Sequence, residues 1–299
     1  MGARRLSSML VTAATLLLAA CAGSSTSGPA PGAETTAPAP DVATALDRAV
    51  AGDWRSDAHK KRDRYRHPIG TLMFFGLRPD MTVVELWPGG GWYTEILAPV
   101  LHDQGHLIEA SFAPDASPDY RARMAADFKN KLAGRPDIYG NVSVVPFAPP
   151  GRTRLGPPNS ADMVLTFRNL HNWINEDTLP SVFQAAYRVL KPGGVFGVVE
   201  HRAGPDWKPQ ESARKGYVPE PYVIELAHKT GFKLVAQTEL NANPNDTKDY
   251  PKGVWTLPPT LRLGDKNRDY YLAIGESDRM TLKFIKPPAV ESKGASVSQ

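Results

Sequence analysis

The sequence predicts an α/β fold, a doubly wound and mainly parallel sheet with helices on both faces. Three observations predict it. Short β-branched, apolar segments recur along the chain between segments with helical apolar spacing. The first of these, 81–87 (MTVVELW), runs directly into a glycine-rich turn, PGGG, that opens a helix. The alternation then continues to the last apolar segment at 279–285. Strands alternating with helices in this way build parallel sheets through crossover connections.

The elements follow in order. Residues 41–77 read as helical, with Val42, Ala45, Leu46 and Val50 on one face and Ile69, Leu72, Met73 and Phe75 on a second. Pro79-Asp80 ends that segment and the strand 81–87 begins. A helix is expected over 93–101, a strand over 106–112, a helix over 119–133, and strands over 142–147 and 163–167. A helix over 179–190 and the turn Lys191-Pro192-Gly193-Gly194 lead into a strand over 195–200. A helix over 222–230 stops at Gly231, a strand covers 233–240, and the last strand covers 279–285. Residues 241–277 are rich in Pro and Asn and weakly periodic, which reads as a lid or a long loop. Residues 288–299 read as a disordered tail.

The N-terminus has a different character. Arg4 and Arg5 precede an apolar stretch at 9–20, which ends in Leu18-Ala19-Ala20-Cys21. This reads as a secretory signal over residues 1–20, too short for a membrane span. Cys21 is the only cysteine, so no intrachain disulfide forms. Its setting resembles the lipobox of bacterial lipoproteins, which implies a diacylated Cys21 and a membrane lipid anchor. By that resemblance Ala22 favours the outer membrane of an exported, periplasm-facing protein. Residues 21–40 are a Ser-, Pro- and Ala-rich tether ahead of one domain at 41–287.

The formal charge is +4, and two of the cations lie in the leader. So small an excess, with no interleaved aromatic stripe, argues against nucleic-acid binding. The densest basic run is HKKRDRYRH at 59–67. It reads either as a solvated helix face or as a lining of the active site. The histidines are scattered and no HxH, HExxH or cysteine cluster occurs, so no metal site is expected. A nucleophile elbow of the GxSxG kind is also missing.

The chemistry is expected at the first turn, because ligands of doubly wound sheets bind at the carboxyl ends of the strands where the strand order reverses. Three successive glycines, Gly89, Gly90 and Gly91, let the backbone approach a ligand. The helix beyond them presents free N–H groups. Glu85 lies within the apolar strand, where a carboxylate needs a partner.

The segment 85–91, the string LKPGG at 190–194 and ADMVLTFRNLHNW at 161–173 together resemble the class I S-adenosylmethionine-dependent methyltransferases. The resemblance covers about 60–286. Within that superfamily the strings WPGGGW, RNLHNW and EHRA are most similar to predicted exported proteobacterial methyltransferases. The resemblance implies a Rossmann-like, seven-stranded sheet with an antiparallel last strand, preceded by an N-terminal helical segment. It implies S-adenosyl-L-methionine as cofactor, held by Glu85, Pro88, Gly89, Gly90, Gly91, Tyr93 and Asn169. The second strand would supply Ser111 or, two residues earlier on the same face, Glu109 for the ribose. Ser111 stands where that superfamily usually has an acid.

Methyl transfer requires alignment and, for a protonated acceptor, a base. His171 and His201 are the candidate bases, each just beyond a strand end. Glu200 is expected to pair with a nearby cation such as Arg202. Trp173, Tyr65 and His67 are candidate contacts for a small-molecule substrate, while Trp92 reads equally as a stacking or a core residue. Three hypotheses stand: a small-molecule methyltransferase, an exported lipoprotein that keeps the fold without catalysis, and an enzyme for another nucleotide-like ligand in the same crevice.

Overall fold

The computed structural model describes residues 41–288. The readings of a leader at 1–20, a lipidated Cys21, a tether at 21–40 and all of the tail but residue 288 lie outside the described residues. Among the described residues no helix is long and apolar enough to cross a membrane.

The chain opens with α1 (Val42–Ala51), α2 (Asp57–Lys60), α3 (Asp63–Arg66) and α4 (Pro68–Phe75). Then come β1 (Thr82–Leu86), α5 (Thr94–Leu101), β2 (His106–Ser111), α6 (Asp119–Gly134), α7 (Pro136–Tyr139) and β3 (Val142–Pro146). The second half runs β4 (Ala161–Phe167), α8 (Leu170–Asn175), α9 (Leu179–Val189), β5 (Leu190–His201), α10 (Pro209–Ala213), α11 (Glu220–Thr230), β6 (Lys233–Thr238), α12 (Arg268–Ile274) and β7 (Arg279–Ile285).

The sheet order is β3-β2-β1-β4-β5-β7-β6. Pairings are parallel from β3 to β5, and β7 runs antiparallel between β5 and β6. This is the expected seven-stranded, Rossmann-like arrangement. The order reverses between β1 and β4, so the crevice lies where their carboxyl ends meet.

Strand parity distributes the core. Val83, Met163 and Leu165 face α1, α4 and α5 through Leu46, Phe75, Ile96 and Leu97. Val84, Leu86, Val164, Phe196 and Val198 face α8, α9 and α11 through Leu170, Val182, Phe183 and Ala227. Both layers are closed, which explains why the central strands read as continuous apolar runs. The edge strands β3 and β6 are only half buried.

One expectation is sharpened and one corrected. Residues 41–77 are helical as expected, divided into four short helices. The chain is extended at Gly52, where a Cβ would lie 2.3 Å from the Trp54 ring, and His67 takes a left-handed φ of 41° before Pro68 starts α4. The turn at 191–194 belongs to the sheet: β5 begins at Leu190, which pairs with Ala161, and Gly193 and Gly194 bond to Lys286 of the neighbouring segment. Residues 241–277 have local order. They contain a 3₁₀ turn at Gly253–Thr256, α12, and a small core of Tyr250, Leu257 and Tyr271.

Candidate functional site

The glycine turn forms one wall of the crevice. Trp87 leaves β1 with φ 48°, in the left-handed region, and its Nε1 donates to the Phe147 carbonyl at 3.0 Å. Gly89 and Gly91 also have positive φ, 60° and 80°. A Cβ at Gly91 would sit 2.8 Å from the Phe128 ring, whereas one at Gly90 would meet nothing within 4 Å. Lys131 Nζ donates to the Gly90 carbonyl at 2.9 Å and to Glu95 Oε1 at 2.5 Å, which ties the turn to α6.

Behind that turn lie two carboxyls. Glu85 and Glu109 are register partners on β1 and β2, and both are buried. Thr94 Oγ1 donates to Glu85 at 3.0 Å, while neither oxygen of Glu109 meets a partner at hydrogen-bonding geometry. Burial raises Glu85 to about 7. Burial first, and then the neighbouring Glu85 charge, pushes Glu109 well above the carboxylate range. The pair therefore holds at least one proton at neutral pH.

The opposite wall comes from the ends of β4 and β5. Asn169 Nδ2 donates to the carbonyls of Leu86 and Trp87 at 2.9 and 3.2 Å, bracing the point where strand order reverses. Glu200 is fully buried and accepts from Leu170 N at 2.5 Å, His201 N at 2.8 Å and His171 Nδ1 at 3.1 Å. With Nδ1 directed at Glu200, Nε2 is the basic nitrogen of a His171 ring that lines the cavity. His201 Nδ1 lies 2.5 Å from Ser277 Oγ. Burial, then the neighbouring His171 and the arginines Arg168, Arg279 and Arg66, lowers His201 well below its ordinary pKa. Arg202 does not pair with Glu200. It binds Glu239 and Asp278, while the Glu200 oxygens are taken by Leu170 N, His171 and His201 N.

The third wall joins the basic run to the segment before β7. His59, Arg62 and Arg66 face the cavity together with Trp255, Glu276 and Ser277. The reading of 59–67 as a lining is therefore met by these three residues. Arg66 is 2% exposed and stacks on Trp92, 4.4 Å from the ring centroid.

These walls enclose about 420 Å³, within the ordinary range for a small-molecule site. Of the residues expected at the site, Pro88, Gly89, Gly90, Asn169, His171 and His201 line it together, and so does Trp92. Glu85, Gly91, Tyr93, Glu109 and Ser111 are behind the lining. Tyr93 stacks on Phe167 at 3.5 Å. Trp173 is a correction: it is fully buried against Trp87 and Phe147 in the core. Tyr65 and His67 also stand off the cavity. The Tyr65 carbonyl accepts from Arg279, and His67 Nδ1 lies 3.4 Å from Asn241 Oδ1. Arg168, Glu276 and Ser277 were not anticipated. Arg168 stood inside RNLHNW, but nothing in the pattern separated it from a surface cation.

Comparisons with known proteins agree with this geometry. Residues 88–198 match the family model described as a methyltransferase domain. No curated protein matches the chain in sequence. Among solved structures, a proposed sarcosine dimethylglycine methyltransferase from Galdieria sulphuraria is similar at TM-score 0.50 and 14% identity, covering 76% of this chain and 86% of that one. The cyclase SpnF is similar at TM-score 0.51 and 15% identity, covering 83% and 94%. An S-adenosylmethionine-dependent methyltransferase from Aquifex aeolicus is 19% identical at TM-score 0.48, covering 60% and 86%. The fold is thus the Rossmann-like fold of class I methyltransferases. That a cyclase shares it shows why the reaction must be argued from the site.

Proposed function

We propose that this protein is an S-adenosyl-L-methionine-dependent methyltransferase acting on a small-molecule acceptor. The observation that carries the reading is the pairing of walls across one cavity: the Gly89-Gly90 turn on one side, the His171–Glu200 pair on the other. Gly89 and Gly90 offer bare backbone, and at Gly90 a ligand can lie where a side chain would otherwise project. The methyltransferase-domain match over 88–198 includes the Gly89-Gly90 turn and His171 and stops short of Glu200.

The cofactor supplies an activated methyl group, so the protein must align an acceptor, exclude water and remove a proton. Asn169 fixes the carboxyl ends of β1 and β4 relative to each other. Trp255, 5.9 Å from His171, covers that histidine from the 241–277 segment, consistent with a lid. Glu200 orients His171 through Nδ1 and turns Nε2 to the cavity, which makes His171 the base. His201, held neutral by burial and by surrounding cations, serves as a hydrogen-bonding group.

Calorimetry of the full chain with S-adenosylhomocysteine tests this. Single-site binding is expected, and Gly90→Leu is expected to abolish it without lowering Tm, since the added side chain enters open space. Absence of binding by the unsubstituted protein sinks the proposal. We further propose, on the sequence of 1–40 alone, that Cys21 is lipidated. Metabolic labelling with a radioactive fatty acid should be lost in Cys21→Ser, and unchanged labelling would overturn the assignment.

A further inference from the structure

The cavity carries more positive charge than the proposed reaction uses. Arg62, Arg66 and Arg168 face it, against a single lining carboxylate, Glu276. Arg62 Nε and Arg66 Nε reach Glu276 at 2.5 and 3.5 Å, and Arg279 reaches it from behind at 3.3 Å. This leaves Nη2 of Arg62 and Nη2 of Arg66 buried without an acceptor, the latter on a side chain only 3% exposed. Among the described residues the Arg168 guanidinium has no hydrogen bond or ion pair, only the longer-range fields of its neighbours. Its backbone is held at φ 63°, a left-handed conformation uncommon for a side chain of this kind.

Buried guanidinium groups are costly unless paired. Burial pushes Arg168 down to about 10 and Arg66 well below its ordinary value. Three cavity-facing cations against one lining carboxylate leave an excess of positive charge, with two buried guanidinium nitrogens unpaired. The alternative occupant, a metal ion, fits poorly. His171, Glu200 and His201 place ligand atoms within 4.8 Å of one another. However, both Glu200 oxygens already accept hydrogen bonds, and the arginines repel a cation.

We propose that Arg62, Arg66 and Arg168 form an oxyanion site that holds a carboxylate or phosphate group of the methyl acceptor. The identification of the ligand as acceptor rests on the methyltransferase reading; the anion site does not. Guanidinium forks match the paired oxygens of either group. Arg168 precedes Asn169 and His171 on the base-bearing wall, opposite the glycine turn. Arg168 and His171 line the same cavity, so an anion bound at Arg168 shares it with the base that takes the acceptor's proton.

The test is calorimetry of the full chain with inorganic phosphate at constant ionic strength, with and without saturating S-adenosylhomocysteine. Saturable single-site binding is expected, retained when S-adenosylhomocysteine is bound. Arg168→Gln should weaken it about tenfold or more, as for loss of a charged hydrogen bond. Its Tm should not fall, because Arg168 has no partner to lose. Arg62→Gln should weaken it too. Lack of saturable binding, or binding indifferent to both substitutions, overturns the site. Displacement of phosphate by S-adenosylhomocysteine but not by 5′-methylthioadenosine overturns the acceptor assignment and gives the arginines to the cofactor's own carboxylate. If phosphate binds while S-adenosylhomocysteine does not, the methyltransferase reading fails and the anion site stands.

Discussion

Two buried acidic sites flank the crevice, and their carboxyls behave in opposite ways. Glu85 and Glu109, behind the glycine turn, are both raised by burial, Glu85 to about 7. Glu276, across the cavity, is equally inaccessible, yet it is held at about 2. Burial alone would raise it too, but Arg66, Arg279 and Arg62 outweigh that penalty. Partners, not depth, decide whether a buried acid here is a proton store or a fixed charge.

The comparison can be broken most severely at Glu276. Glu276→Gln would leave Arg62, Arg66 and Arg279 without their shared anion. Urea unfolding at pH 7 should show a loss on the order of 3 kcal/mol, the linkage equivalent of that depressed carboxyl. The sign follows from the shift. A depressed carboxyl contributes above its unfolded pKa and loses that contribution as pH falls toward 2. The wild type should therefore weaken from about pH 4.5 downward, and the variant should lack this component. An unchanged stability at pH 7 would mean that the arginines do not depend on Glu276.

A smaller and opposite effect is expected at the other site. A raised carboxyl costs stability as pH rises through its folded value, near 7 for Glu85. Glu109→Gln mimics the protonated acid and removes the repulsion. It should raise Tm at pH 8 by roughly 2–4 °C, the equivalent of about 1 kcal/mol in a domain of this size. At pH 5, where both acids are protonated, it should have little effect. A variant equally shifted at both pH values would show that the two carboxyls are not coupled.

The sheet was legible because its signals are local. The strand at 81–87 and the PGGG turn each carry their own periodicity or backbone demand and fell in place, whereas the LKPGG string, expected as a turn, opens β5. The four-residue helices were not legible, since so short a segment has no period to detect. At the site, the turn and the two histidines could be named from their neighbours in sequence. The pairing of Glu200 could not, because its partners Leu170 and His171 lie 30 and 29 positions away in sequence.

The sequence by itself determined the alternation of strands and helices, the glycine turn at the end of β1, and the placement of His171 beyond the end of β4; His201, expected beyond a strand, is the last residue of β5. Each follows from side-chain size, backbone freedom or period over a few residues. Only the tertiary structure decided what stands opposite them. Arg62 and Glu276 are separated by 214 positions, and no local pattern links them. Strand order brings β4 beside β1 and β5 beside β4, and only then do the arginines of the N-terminal segment, Arg168 after β4 and the carboxylate before β7 share one cavity.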